Sequence, residues 1–145
     1  MRTPEELTEV FRARGLKITP QRQAVFQVLH TAADHPSAEG VYATVSAQMP
    51  SISLRTVYQV LNDLTSMGEI AALDLGTGAT RFDPTHGDHH HLVCASCGAV
   101  RDLFLDDVPV AVPSDQTGGF AVGRPEITWR GLCPACQPTR KDTDA

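Results

Sequence analysis

The cysteines are the residues of this chain best suited to chemistry. They form two pairs with the spacing C-x-x-C, Cys94 with Cys97 and Cys133 with Cys136, and none is left over. Each C-x-x-C turn brings two thiolates to one side of a short loop, and two such turns can close a tetrahedral S4 shell around a structural Zn²⁺. Because 35 residues separate the pairs, such a zinc would join two distant parts of a domain. The alternatives are a dithiol redox couple and a pair of disulfides, which would need an oxidising compartment.

A second set of possible metal donors combines histidines with carboxylates. Three consecutive histidines occupy a polar segment, and in an extended chain the first and third share a face while the middle one points away. Aspartates on the two predicted strands that flank this segment can add oxygens, and a histidine between two N-terminal helices can add a nitrogen. Three imidazoles and two carboxylates suit Fe²⁺ or Mn²⁺ better than Zn²⁺, although a histidine run can also be a plain solvated loop. The set is His35, Asp83, His89, His91 and Asp102.

The elements that must position these donors begin with four helices. Capping residues at Thr3, Thr19, Ser37 and Ser53 each precede an apolar stripe, and glycines follow the first and fourth stripes. Residues 70–75 and 80–82, which flank the turn residues 76–78, then predict a β-hairpin. Helices followed by a hairpin predict a winged helix-turn-helix whose fourth helix enters the major groove of DNA. The alternative is a small helical domain with an incidental hairpin.

The polar face of the predicted fourth helix favours DNA binding. Its side chains can bond guanine or adenine edges and hold phosphate, and the face has no lysine. Two basic residues that flank the second helix are either phosphate contacts or ordinary surface charges. The predicted DNA-contact residues are Lys17, Arg22, Arg55, Thr56, Tyr58, Gln59 and Asn62.

The C-terminal half has strand signals and little helix signal. Residues 92–94, 99–104 and 126–130 predict strands, and the cysteine pairs stand at the end of the first strand and after the last. The intervening segment, 106–119, is too rich in Pro, Gly and Asp to predict a long helix. The expected fold class is therefore α+β, with the zinc pinning a small C-terminal sheet.

Charge and targeting signals limit the functional classes. The net charge is −5, but residues 1–60 carry six Arg or Lys against five Asp or Glu, whereas residues 61–145 carry six against twelve. Since phosphate neutralisation requires basic residues, any DNA binding should use the N-terminal half. The N-terminus has no signal-peptide pattern, and no apolar run is long enough to span a membrane. We therefore expect a cytoplasmic protein without a membrane partner.

The chain resembles the ferric-uptake-regulator (Fur) family of metal-dependent repressors over nearly its whole length. The stretches that carry the resemblance are 15–22 (GLKITPQR), 35–39 (HPSAE), 53–58 (SLRTVY), 81–83 (RFD), 88–98 (DHHHLVCASCG) and 131–136 (GLCPAC).

This resemblance implies an organisation and a set of ligands. The predicted domains are a winged-helix DNA-binding domain (1–83), a hinge (84–91), an α/β dimerisation and zinc-binding domain (92–137) and a disordered tail (138–145). The regulatory-metal ligands implied are the five His and Asp residues above, with the S4 zinc holding the dimerisation domain together. Pro125 stands where many iron-sensing members have a histidine of an accessory site, so that site should be absent or altered.

The functional expectation is a homodimeric, Fe²⁺- or Mn²⁺-dependent repressor of palindromic operators, and not an enzyme. Aspartate, not glutamate, at 83 and 102 is similar to the peroxide-sensing branch of the family, in which a ligand histidine, here His35 or His89, is oxidised. An iron, manganese or zinc homeostasis repressor without peroxide sensing is the alternative within the family. A non-haem iron enzyme and a zinc-stabilised interaction module are the rivals from other classes.

Overall fold

The computed structural model describes residues 1–106, 108 and 110–138. The chain divides into two compact units, Met1–His86 and Gly87–Ala145. The predicted tail therefore lies almost wholly outside the described residues. The predicted domain and hinge boundaries stay predictions.

Four helices form most of the first unit, and each begins where the sequence predicts. They are α1 (Pro4–Ala13), α2 (Pro20–Thr31), α3 (Ala38–Gln48) and α4 (Leu54–Ser66). The side chains of the four predicted capping residues each accept a backbone N–H at the first turn, and α1 also has a complete capping box with Glu6. These caps satisfy N–H groups that have no partner inside the helix.

A two-stranded wing follows the helices. Strands β1 (Ala71–Leu73) and β2 (Arg81–Asp83) pair antiparallel, with Ala71 opposite Asp83. The chain leaves α4 through Gly68, whose φ of 72° lies in the left-handed region that favours glycine. The predicted winged helix-turn-helix is confirmed.

One hydrophobic core holds this unit together. It takes buried side chains from all four helices and from the wing, and the rings of Phe11 and Phe26 meet edge to face at 4.9 Å. On α4 the apolar residues predicted to face inward are buried, which leaves the polar stripe outside: Val57, Val60, Leu61 and Leu64.

The second unit is a small mixed sheet. Its strands are β3 (His90–Cys94), β4 (Val100–Leu103) and β5 (Thr128–Gly131), in the order β4-β3-β5. The central β3 runs antiparallel to β4 and parallel to β5. The three strands are found near the predicted positions, with β3 starting at His90, two residues earlier than predicted. A single 3₁₀ turn, Ser114–Gln116, is the helical element of this unit among the described residues.

The fold class is α+β, as predicted. In the part of the chain that the structure describes, no helix is both long and apolar enough to cross a membrane.

Candidate metal centres and nucleic-acid interface

The four cysteines converge at one edge of the second unit's sheet. Because β3 and β5 are parallel, with Cys94 opposite Gly131, their carboxyl ends lie at the same edge and bring the two C-x-x-C turns together. The four Sγ atoms lie within 4.8 Å of one another. Each turn is closed by its own backbone, through Gly98 N–H to Cys94 C=O and Cys136 N–H to Cys133 C=O, both at 2.9 Å.

The cysteine geometry fits a tetrahedral metal. The Sγ atoms of Cys97 and Cys133 are 3.7 Å apart, close to the edge of about 3.8 Å that follows from Zn–S bonds of about 2.3 Å in a tetrahedron. All four cysteines are free thiols, so the disulfide alternative finds no support. Backbone N–H groups of Cys133 and Cys97 lower the pKa of the Cys94 thiol to about 6. A side-chain hydrogen bond with Ser96 lowers the pKa of Cys136, but contacts with the other three cysteines raise it to about 11. The backbone therefore favours one thiolate, and a bound Zn²⁺ would favour all four. The residues present fit a Zn²⁺ ion.

The first unit contains one buried pair of His and Asp donors. His35 Nε2 lies 3.4 Å from Asp83 Oδ1, and both side chains are almost fully buried. The wing is tied to the loop before α3 because Phe82 N–H donates to the Pro36 carbonyl at 3.0 Å and Arg81 donates to the His35 carbonyl at 3.3 Å. Thr85 N–H donates to Asp83 Oδ1 at 2.7 Å. These bonds fix a nitrogen donor and an oxygen donor beside each other. We call His35 and Asp83 the first donor pair.

The second unit contains three further donors. The rings of His89 and His91 lie 4.8 Å apart, and His89 Nε2 is 3.7 Å from Asp102 Oδ1. Asp102 stands directly opposite His91 across the β3–β4 pairing. His90 points elsewhere: its ring packs edge-on against Trp129, and its Nδ1 accepts the Ile127 N–H at 3.2 Å. The predicted alternation of the three histidines is confirmed, and we call His89, His91 and Asp102 the second donor group.

The polar face of α4 is open. Arg55, Gln59 and Asn62 are exposed, as predicted. Thr56 is half-buried, and its hydroxyl bonds the cap residue Ser53 at 2.9 Å. Tyr58 is 40% exposed.

Two acidic residues absent from the predicted set hold this helix. The Tyr58 hydroxyl donates to Glu39 Oε1 on α3 at 2.8 Å.

Arg22 makes three contacts within the first unit. Its Nη2 donates to Asp63 Oδ2 at 2.9 Å, its Nη1 donates to the Lys17 carbonyl, and its guanidinium lies over the Phe11 ring. Arg22 therefore has a structural role between α2 and α4, and its contact with phosphate stays a prediction. Lys17 is exposed. Sequence spacing gives no signal for Glu39, because the pairing depends on how α3 packs on α4.

One more carboxylate lies beside the histidines. Glu126 Oε1 is 3.7 Å from His91 Nδ1. The sequence carries no signal for this residue, because only the parallel register of β5 on β3 brings it there.

Removal of one thiolate should empty the cysteine site. We expect Cys133→Ser to lose the zinc and to destabilise the second unit, since bound metal contributes directly to the folding of a small domain. Elemental analysis should give one zinc per chain for the wild type and near zero for the variant, with a change in the fluorescence of Trp129, the single tryptophan. Ala135→Ser, which adds a hydroxyl in the same turn without removing a thiol, is the matched control. Equal zinc in the two variants would contradict the assignment.

The contact between Tyr58 and Glu39 should be visible in titration. The hydrogen bond to the Glu39 carboxylate raises the pKa of Tyr58 and lowers the pKa of Glu39. We expect Glu39→Gln to bring the pKa of Tyr58 down toward its ordinary value of about 10, because the charged acceptor is gone. Ultraviolet titration in a Tyr42→Phe background, where Tyr58 is the remaining tyrosine, measures this. Glu5→Gln is the control, and an unchanged pKa in Glu39→Gln shows that the bond does not persist in solution.

Comparison with known proteins places these features in one family. The model of the ferric uptake regulator family matches residues 13–119. The peroxide operon regulator of Bacillus subtilis is 31% identical over 135 residues, with 91% of this chain and 92% of that protein covered. The ferric uptake regulation protein of the same organism is 34% identical over 140 residues, with 91% and 93% covered.

Solved structures agree on the fold. The ferric uptake regulator of Helicobacter pylori, whose structure was described as having three functional metal binding sites, superposes with a TM-score of 0.72 at 22% identity and covers 94% of this chain and 92% of that one. At this identity the likeness establishes the fold alone. The family model and the two relatives go further: this chain belongs to the ferric uptake regulator family, a family of metal-dependent regulators and not of enzymes.

Proposed function

We propose that this protein is a cytoplasmic, homodimeric repressor that binds palindromic operator DNA when a regulatory Fe²⁺ or Mn²⁺ is bound, and that responds to peroxide. The observation that carries the proposal is the first donor pair. His35 and Asp83 are buried in the same unit as the α4 face and beside the wing. Side by side, they offer one nitrogen and one oxygen donor to an ion.

The proposed regulatory site joins the first donor pair to the second donor group. Three imidazole nitrogens and two carboxylate oxygens suit Fe²⁺ and Mn²⁺, whereas the four thiolates suit Zn²⁺ and are all used by the structural site. The sensor therefore depends on histidine and carboxylate. A zinc-sensing role is disfavoured because no thiolate is left for it.

The proposed DNA interface is the exposed face of α4. Arg55 can bond guanine through two N–H groups, and Gln59 and Asn62 can read adenine. Lys17 contacts phosphate, and Tyr58 does so when its hydroxyl exchanges the Glu39 carboxylate for a phosphate oxygen. The acidic second unit would disfavour binding through that part of the chain.

The proposed dimer uses the second unit. Eight of the nine large exposed apolar side chains among the described residues belong to it, including Phe104 and Phe120. Exposed apolar surface of this kind is typical of an interface. Two recognition helices related by a twofold axis would match a palindromic site.

The proposed mechanism is linkage between metal and DNA. A metal ion bound by ligands from both units would favour the arrangement in which both units reach that ion. Operator DNA would bind this arrangement more tightly than the others. Coupling of this type is typically about 1–3 kcal/mol and is reciprocal, so operator DNA should tighten metal binding by the same factor. Bound Fe²⁺ would supply redox chemistry with H₂O₂, and loss of one imidazole donor at His35 or His89 would then remove the coupling.

Peroxide sensing has specific support. The B. subtilis relative that matches 91% of this chain is a peroxide operon regulator, and both carboxylates of the proposed site are aspartates. The second candidate, an iron or manganese homeostasis repressor without peroxide chemistry, is favoured by the equally similar ferric uptake regulation protein.

The inter-unit site can be tested with His35→Ala. A duplex selected in vitro on the Mn²⁺-loaded full chain serves as the probe, and its affinity is measured by fluorescence anisotropy with and without Mn²⁺. We expect the variant to lose the metal-dependent gain, about 5- to 150-fold, because one unit no longer holds the ion, while metal-free binding stays unchanged.

His30→Ala is the matched control, since His30 is an exposed histidine on α2 of the same unit. Full metal dependence in His35→Ala would show that ligation from the first unit is wrong. The affinity of the wild type for the DNA probe should also fall steeply as the salt concentration rises. A protein-interaction module would show no such salt-dependent DNA binding.

Peroxide sensing can be separated from simple metal sensing by mass spectrometry. After H₂O₂ treatment of the Fe²⁺ form, we expect a peptide that contains His35 or His89 to gain the mass of one oxygen atom, with release from the DNA probe. The Mn²⁺ form is the control and should stay unmodified. An unmodified Fe²⁺ form that remains on DNA would leave the homeostasis alternative.

A further inference from the structure

Glu126 has a carboxylate beside the proposed regulatory site that is not one of its five ligands. Its Oε1 lies 3.7 Å from His91 Nδ1, and its side chain is 65% exposed while that of His91 is almost completely buried. It follows Pro125, the residue that takes the place of an accessory-site histidine in the resemblance described above.

The backbone holds Glu126 in this place. The His91 N–H donates to the Ile127 carbonyl at 3.0 Å, and the Ile127 N–H donates to His90 Nδ1 at 3.2 Å. On the other side of Glu126, Arg124 forms an ion pair with Asp88. Residues 124–127 are thus fastened along residues 88–91 at three points, so the nearness of Glu126 to His91 follows from sheet register.

The chemistry of a ligand histidine explains what a carboxylate does there. A metal-binding imidazole uses one nitrogen for the ion and usually donates its other N–H to a carboxylate or carbonyl, which fixes the tautomer and raises the basicity of the ligating nitrogen. Glu126 faces Nδ1, which leaves Nε2 as the ligating atom. The gap of 3.7 Å exceeds a hydrogen bond by less than about 1 Å, and the exposed glutamate side chain can close it by rotation.

We propose that Glu126 is a positioning residue of the regulatory site: its carboxylate accepts the Nδ1–H of His91 and thereby sets the affinity of the site for its metal. This inference rests on the proposed function, because it assumes that His91 is a ligand. Glu126 acts through His91 and not as a ligand itself. The proposed ligands of the first donor pair and the second donor group are largely buried. Glu126 is mostly exposed, which sets it apart from these ligands.

The test compares Mn²⁺ affinity in the zinc-loaded full chain of the wild type, Glu126→Gln and Glu126→Ala by calorimetry. Asp115→Asn, which removes one exposed charge elsewhere in the second unit, is the matched control. We expect Glu126→Ala to bind about 10- to 100-fold more weakly and Glu126→Gln to fall between it and the wild type, because the amide oxygen still accepts the N–H. Asp115→Asn should stay within about twofold, since exposed charges are screened.

Two further readouts separate positioning from other roles. The visible spectrum of Co²⁺ in the regulatory site should be the same in wild type and Glu126→Gln, because the ligands are unchanged. Imidazole nitrogen NMR of the chain without regulatory metal should show His91 protonated at Nδ1 in the wild type and as a tautomer mixture in Glu126→Ala. The NMR result does not depend on metal binding.

Several outcomes would overturn the inference. Wild-type affinity in both variants would do so. Equal losses of Mn²⁺ affinity in Glu126→Gln and Glu126→Ala that vanish at high salt would show that Glu126 acts only as a distant charge. A changed Co²⁺ spectrum in Glu126→Gln would show that Glu126 is a direct ligand. A wild type that binds no Mn²⁺ would instead overturn the proposed function, and the tautomer of His91 would still report whether Glu126 holds the ring.

Discussion

The parallel pairing of β3 with β5 is the constraint on which the second unit depends. Parallel strands present their carboxyl ends at one edge, and this places Cys94 beside the turn that contains Cys133. The same register lines residues 124–127 along the histidine run. Because the sheet has three strands and its fully buried apolar residues are few, hydrophobic burial alone gives it little stability. A metal bound by the four thiolates would add the stability that this small core lacks. One pairing thus connects the structural site to the histidines at the start of β3.

The first unit buries two polar side chains, His35 and Asp83, beside an apolar core. Its core of helix and wing residues is complete without His35 and Asp83. Hydrogen bonds from the wing to the loop before α3 fix both donors. A carboxylate and an imidazole held side by side offset part of each other's desolvation cost. The helix that carries the exposed polar face belongs to the same rigid packing.

Two acidic residues contact side chains on or beside α4 in this acidic protein. Asp63 pairs with the Arg22 guanidinium, so its negative charge is offset within the unit. Glu39 accepts a hydrogen bond from the neutral Tyr58 hydroxyl and keeps its charge at the surface. Arg55 stays exposed for an outside partner. The net charge of −5 does not by itself exclude the proposed DNA interface, because at short range the local arrangement of charges matters more than their sum.

The sequence by itself determined the local elements and the chemistry of the donors. Caps such as Thr3 and Ser53 act within a few residues, and the C-x-x-C spacing and the alternation of His89 and His91 are properties of a short chain segment. The C-x-x-C motifs also indicated that two distant cysteine pairs would meet, but tertiary structure alone decided the distant contacts that no motif marks. The parallel register that brings Glu126 to His91, the packing that pairs Glu39 with Tyr58, and the burial of Arg22 against Asp63 and Phe11 depend on strand order and helix contacts across many residues. Local propensity carries no record of such contacts, because they arise from the packing of complete elements against one another.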